Sequence, residues 1–316
     1  MKPTLAIFFT IIYLSCGNPK VQENTSEAPS VDKKIEAITL LGDTLFSYKP
    51  SNQGAIQKFE KAKMDYDADN ESIENIVWYG RRTAYLGRFN DAIDIYTEGI
   101  QLHPGSARLY RHRGHRYIST RQYDNAIRDF EKASELIEGT ENVIEQDGIP
   151  NAQNKPISSL HGNIYYHLGL AYYLKNDLEN AKRIYEKRIT THQNDDNIVS
   201  AGHWYYMTLR RLGDNDGASS VLAEITPEMD IIENMHYHDI CLFYKKDLSE
   251  QDLVIESESG SVNEVFLYGL GNWYLYEKQD TNQAELFFNR LLDQGNKASF
   301  AFVAAEADMY RMKNGQ

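Results

Sequence analysis

The residues best equipped for chemistry lie in one window. From Gly99 to Tyr123 the sequence has five arginines (Arg108, Arg111, Arg113, Arg116, Arg121), three histidines (His103, His112, His115) and no acidic residue. The chain as a whole leans the other way, with 46 Asp plus Glu against 33 Lys plus Arg and a net charge of −13. Guanidinium groups are planar forks that grip carboxylates or phosphates with paired hydrogen bonds. Imidazoles move protons or ligate metals near neutral pH. The window therefore reads as an anion site or as the internal wiring of a fold.

The parts of a catalytic centre are not assembled in the sequence. There is no Gly-rich phosphate loop, since GLGNW at residues 269–273 falls within a helical pattern. HEXXH and GXSXG are absent. His112 with His115, His161 with His167, and His236 with His238 could each begin a metal site, but none has a third ligand in view. No cofactor or metal is expected, and a metal-dependent enzyme is the least favoured reading. The acidic balance argues against nucleic acid as a partner, because phosphate binding needs a dominant positive surface.

The elements that must position the window follow from self-similarity. Gly80, Gly87, Phe89, Ala92, Tyr96 and Pro104 align with Gly114, Arg121, Tyr123, Ala126, Phe130 and Glu138, every offset being 34. Small residues at unit positions 8 and 20 let two helices approach, and an aromatic at position 24 fills the space between them. Further units start near Gly162 (Tyr165, Gly169, Tyr172, Leu178, Ala181, Tyr185), near Val199 (Tyr205, Gly213, Ala218, Leu222) and near Glu264 (Gly271, Tyr274, Ala284, Phe288), the last with one residue inserted at its turn. Ala55, Phe59 and Ala62 suggest the second helix of a degenerate leading unit.

This pattern resembles the tetratricopeptide repeat over roughly residues 35–312. Residues 74–245, with the run RHRGH at 111–115, also resemble uncharacterised bacterial repeat proteins of the lipoprotein type. The resemblance implies an all-α, right-handed superhelical α-solenoid of about five hairpins, with repeats near 73–106, 107–140, 162–195, 199–232 and 264–298. Each hairpin buries its apolar face only against a neighbour. The 22 tyrosines, many at helical spacing, serve that core. An extra helix is expected over Asp230–Lys246, a capping helix over Phe300–Met312, a long loop over Glu141–His161, and a short connector at TLFSYKPSNQ around residue 48.

Placed on such an array, the window is the first helix of the second unit. Positions 2, 5, 9 and 12 of first helices line the concave groove, which puts Arg108, Arg111, His115 and Ile118 there, with His112 beside them on the same helical face. Arg81 and Tyr85 extend the groove from the first unit, Tyr166 and Tyr173 from the third, and His203 and Arg210 from the fourth. The expected groove is basic and aromatic, fit for an acidic protein or peptide partner, with the 141–161 loop as a gate. Arg113 and Arg116 fall at inward positions and are expected to pair with Asp91, Asp94 or Asp129. The alternative function is a structural subunit of an envelope assembly, touching its partners by the convex face.

The first residues read as a targeting segment. Lys2 precedes the apolar run Leu5–Leu14, which is too short to span a bilayer. Leu14-Ser15-Cys16-Gly17 follows, similar to a bacterial lipoprotein signal, although Tyr13 stands where Leu is usual. An ordinary secretory signal or a weak membrane anchor remains the alternative. The expectation is a signal over residues 1–15, a lipidated and flexible tether over 16–31 starting at Cys16, and the repeat domain over 32–316. That places the protein in a cell envelope, at an outer membrane and facing the periplasm or the surface if the cell is Gram-negative. With Cys16 lipidated, Cys241 has no partner for an intrachain disulfide.

Overall fold

A computed structural model describes residues 34–47, 52–191 and 194–315. The expected signal, the lipidation site Cys16 and the tether to residue 31 lie outside the described residues.

The helices fall into pairs. The leading helix α1 (Gln53–Ala68) packs on α2 (Ile73–Tyr85), which pairs with α3 (Phe89–Leu102). The next pairs are α4 (Ala107–Ser119) with α5 (Tyr123–Leu136), α6 (Leu160–Leu174) with α7 (Leu178–Ile189), and α8 (Asp195–Leu212) with α9 (Asn215–Ala223). A single helix α10 (Met235–Lys245) precedes the last pair, α11 (Glu264–Tyr276) and α12 (Thr281–Gln294), and α13 (Phe300–Asn314) closes the chain. This is the all-α solenoid of stacked hairpins that the period implies. Among the described residues no helix is long and apolar enough to cross a membrane.

Four pairs are locked by a glycine against a ring. A Cβ at Gly80 would stand 2.4 Å from the Tyr96 ring, one at Gly114 3.0 Å from Phe130, one at Gly169 2.8 Å from Tyr185, and one at Gly271 2.4 Å from Phe288. The first three pairs share one spacing, and the fourth is longer by one residue, the insertion visible in the sequence. Each hairpin turn also carries a residue of positive φ: Gly87, Arg121, Asn176, Gly213 and Gln279. The turn geometry is therefore common to all five, although only two of them use glycine.

The structure departs from the expected pattern at three places. Residues 44–46 are not a connector. They form strand β2 (Thr44–Phe46), paired antiparallel with β1 (Ile35–Ile38) through a turn at Gly42. This hairpin covers the first unit, with Ala37 and Leu45 joining Ile76, Phe89 and Tyr96 in one apolar cluster. Glu36 is buried and accepts the Asn90 N–H (2.8 Å) in the first turn of α3, and burial pushes its carboxyl up from the usual range.

The extra helix begins later than expected, at Met235. Residues 232–234 bend over the N-terminal end of α8, where the buried Asp196 carboxylate accepts the N–H groups of Ile232, Glu233 and Asn234 at 2.8–2.9 Å. Three convergent N–H donors hold this segment off the helical path, so α10 starts only after it.

Helix α13 does more than cap. It packs on α11 and α12, and its other face returns to α6. Residues Ala301–Met309 are all buried. Arg121 on the turn after α4 donates to Glu306 (2.8 Å), and Arg311 donates to the Leu174 carbonyl (3.0 Å) at the end of α6. Glu306 also accepts the Leu40 N–H (2.8 Å) from the β-hairpin turn. The inside of the array is thus filled by the chain's own last helices.

Candidate functional site

The basic face of α2 and α4 is covered by residues of the 141–161 loop. The neck of the loop is closed by two backbone bonds, Glu145 N–H to the Ser158 carbonyl (2.9 Å) and Leu160 N–H to the Val143 carbonyl (2.8 Å). Its return arm is fixed separately, where Asn194 and Asn197 both donate to the Ile157 carbonyl (2.9 Å each). Between these anchors the segment Glu145-Gln146-Asp147-Gly148 lies on the arginines.

Glu145 is buried and reaches Arg111 Nη2 at 3.3 Å and His112 Nε2 at 3.8 Å, while Asn163 Nδ2 donates to it at 2.7 Å. Arg111 Nη1 donates to His112 Nδ1 (2.9 Å), so the neutral ring carries its proton on Nε2, toward Glu145. Burial first, and Arg111 next, hold the His112 pKa well below its usual value. Arg81 Nη1 donates to the Gln146 carbonyl and Arg82 Nη1 to the Gly148 carbonyl, both at 2.8 Å. Arg81 and Arg82 flank the Trp78 ring at 4.7 and 4.8 Å, which stiffens both forks. Gly148 sits against Tyr85: a Cβ there would fall 1.7 Å from the Tyr85 hydroxyl and 2.6 Å from Arg81 Nη2. Asp147 has one buried carboxylate oxygen without a hydrogen bond, and burial raises its pKa.

The ten residues expected to line one groove divide into groups. Arg81, Tyr85, Arg111 and His112 meet at the loop. Arg108 is beside them, ion-paired with Glu74 at 2.7 Å and partly exposed. His115 and Tyr166 lie farther along, around Phe300 of α13, with ring centroids 5.1 and 6.2 Å from it. The Tyr166 hydroxyl accepts the Trp204 indole N–H at 2.8 Å. A cavity of about 290 Å³ between His115, Tyr237, Glu264 and Phe300 remains there.

Tyr173 and His203 require correction as groove residues, because both are fully buried. Tyr173 shares a hydrogen bond with Tyr268 (2.8 Å) and accepts from Asn272 (2.8 Å), both on α11. His203 stacks on Tyr244 of α10 and meets Trp204 and Tyr237. Positions that face a groove in a bare array here face the helices packed into it. Arg210 pairs with Glu277 at the end of α11, and so joins α8 to the fifth unit rather than lining a surface for a guest.

The two inward arginines behave differently from each other. Arg113 makes a two-pronged contact with Asp129 (2.7 and 2.8 Å) and donates to Thr97 (3.0 Å). Arg116 lies over the Phe89 ring at 5.8 Å, and no carboxylate pairs with it among the described residues. Asp91 is already engaged by Lys34 and Arg88.

Three further histidines among the described residues are held by ordinary partners. His167 donates to the Asn163 carbonyl (2.6 Å), His238 to the Thr226 carbonyl (2.8 Å), and His236 packs on Phe266. Among the described residues no three His, Cys, Asp or Glu side chains converge to hold a metal ion. Cys241 is a buried free thiol.

Sequence reasoning did not assign Trp78, Arg82, Glu145, Gly148 or Asn163. Their signal was available only in combination: three acids (Glu141, Glu145 and Asp147) in a loop, opposite an arginine-rich helix that has none.

Known proteins share this architecture. The tetratricopeptide repeat model matches residues 107–139 and 162–190. Human tetratricopeptide repeat protein 13 is 36% identical over 105 residues, 33% of this chain and 10% of that protein. A Dictyostelium discoideum protein, DnaJ homolog subfamily C member 7 homolog, is 28% identical over 141 residues, 44% of this chain and 25% of its own length. The chain thus spans a quarter or less of these curated relatives. A crystallised tetratricopeptide repeat protein from Parabacteroides merdae is similar in fold, with a TM-score of 0.50 at 15% identity over 81% of this chain and 92% of that one.

Proposed function

The chain carries tetratricopeptide repeats, which bind protein or peptide partners, and from that premise we propose that it is an envelope interaction scaffold that receives an acidic segment on the strip of Trp78, Arg81, Arg82, Arg108 and Arg111. One observation carries this reading. The strip already holds an acidic piece of polypeptide by a carboxylate and two backbone carbonyls, which is the chemistry a partner would bring. The protein is tethered by lipid at Cys16, a reading supported by Lys2, the apolar run 5–14 and the Ser15-Cys16-Gly17 sequence. Acyl chains, each CH₂ contributing about 0.8 kcal/mol when buried, then hold an acidic protein at a membrane that its charge would not favour.

The test is crosslinking in the native membrane followed by mass spectrometry. Arg81→Glu combined with Arg108→Glu reverses two partly exposed charges on the strip, and the partner's crosslinks should disappear. A partner retained undiminished on that variant removes the strip from the function.

A second reading has its own support. Met64, Leu102, Ile189 and Leu286 are exposed apolar residues on the second helices α1, α3, α7 and α12. These are the outer helices of the array, suited to an assembly subunit that uses its convex face. Stoichiometric co-purification after lipid-preserving extraction, unaffected by the Arg81 and Arg108 changes, is its signature.

A further inference from the structure

We propose that Glu145–Gly148 is an internal competitor for the basic strip, and that the partner is a segment of the pattern acid-x-x-Gly that displaces it. The proposal rests on the strip being the partner site.

Three features of the contact set this pattern. Arg111 is a buried cation, and Glu145 is the carboxylate paired with it among the described residues. A buried guanidinium without an anion is costly, so the position one residue before Gln146 must be acidic in any segment bound there. The next contacts go to the carbonyls of Gln146 and Gly148, which any residue supplies. The fourth position is closed by Tyr85 and Arg81, leaving no room for a side chain. The strip therefore reads one carboxylate, a backbone direction and one glycine.

The internal segment is also an imperfect guest. Asp147 leaves a carboxylate oxygen buried and unbonded, a cost that a partner with an uncharged residue at that position avoids. The return arm at Ile157 is anchored on Asn194 and Asn197 and not on the strip, so Glu145–Gly148 can lift by giving up the Glu145 bonds to Ser158 and Asn163 while that anchor stays. A site occupied by its own chain binds an outside ligand more weakly in proportion to the fraction of time it is open. Occupancy by 145–148 thus sets a threshold for partner binding.

The experiment uses the full chain in detergent and a labelled peptide of the loop sequence, NVIEQDGIP, with binding read by anisotropy. Wild type should bind it weakly. Glu145→Gln and Gly148→Val, which weaken the internal segment in two different ways, should each bind it at least about tenfold tighter. Adding Arg111→Met to Glu145→Gln should abolish that gain, and a peptide with Gln for its Glu should bind none of them. If neither loop variant binds more tightly than wild type, the competitor does not exist.

Hydrogen exchange on wild type gives a second readout that needs no variant. A saturating peptide should speed exchange at residues 143–148 by about tenfold or more, and unchanged protection with peptide bound overturns the displacement. The functional reading fails separately, if nothing in the membrane crosslinks to the strip even though the peptide exchanges with the loop.

Discussion

Arg121 and Glu306 meet at 2.8 Å although 185 residues separate them, and their side chains are 2% and 1% exposed. Arg121 is the positive-φ residue of the second hairpin turn, and Glu306 is midway along α13. The pair fastens the last helix to the second repeat. Arg121 also donates to the carbonyls of Ser119 (2.6 Å) and Lys297 (3.0 Å), so its fork is well supplied with acceptors.

Breaking one side of this pair leaves an uncompensated charge in the interior. Glu306→Gln is expected to lower stability by about 3–5 kcal/mol, measured by urea unfolding. Arg121→Met with Glu306→Leu removes both charges, and should recover most of that loss. A Glu306→Gln protein as stable as wild type would show that the pair contributes nothing.

The glycine-against-ring contact gives a local prediction. Gly80→Ala drives a methyl into Tyr96, and overpacking of this kind costs about 1–3 kcal/mol. Gly105→Ala is the control: no heavy atom lies within 4 Å of its Cβ, so the change should stay within about 0.5 kcal/mol. Equal thermal shifts for the two variants would mean that the close approach at Gly80 carries no strain.

Acid should destabilise the fold through His203. Its ring is enclosed by Trp204, Tyr237 and Tyr244, and burial pushes its pKa down to about 3. Unfolded, it titrates near 6.5. Between those values the unfolded chain takes up a proton that the folded chain excludes, so this contribution is complete above about pH 6.5 and is lost as pH falls. At pH 5 the loss from this one ring is about 2 kcal/mol. His203→Phe should shrink the difference in stability between pH 7 and pH 5 by that amount; an unchanged difference would place the acid sensitivity elsewhere.

What the sequence made legible was the part that repeats. The 34-residue offsets identify four of the glycine and ring positions, the inserted residue of the fifth unit and the inward direction of Arg113, because each is set by neighbours one helix away. The closure of the array was not legible in the same way. Periodicity says that Tyr173 and His203 face the inside, but not that α10 and α11 fill it. Helix α13 did carry a sign of its return, since Glu306, Asp308 and Arg311 interrupt a run rich in alanine and must find partners when it is buried. The β-hairpin was hidden because strands of four and three residues are too short to register, and adjacent Glu36 and Ala37 are both buried, so β1 lacks the alternation that marks a strand.

Glu306 accepts from Leu40 near one end of the described chain and from Arg121 in the second hairpin. An array whose hairpins touch only their neighbours can melt piece by piece. Here Leu40 and Arg121 complete these hydrogen bonds only when helix α13 is in place. The strand turn at Leu40 and the second repeat must wait, incomplete, for residues 300–314. Residues 300–314 are thus a condition for completing structure that lies 185 to 266 positions before Glu306, and a variant cut before residue 300 leaves those donors without their carboxylate.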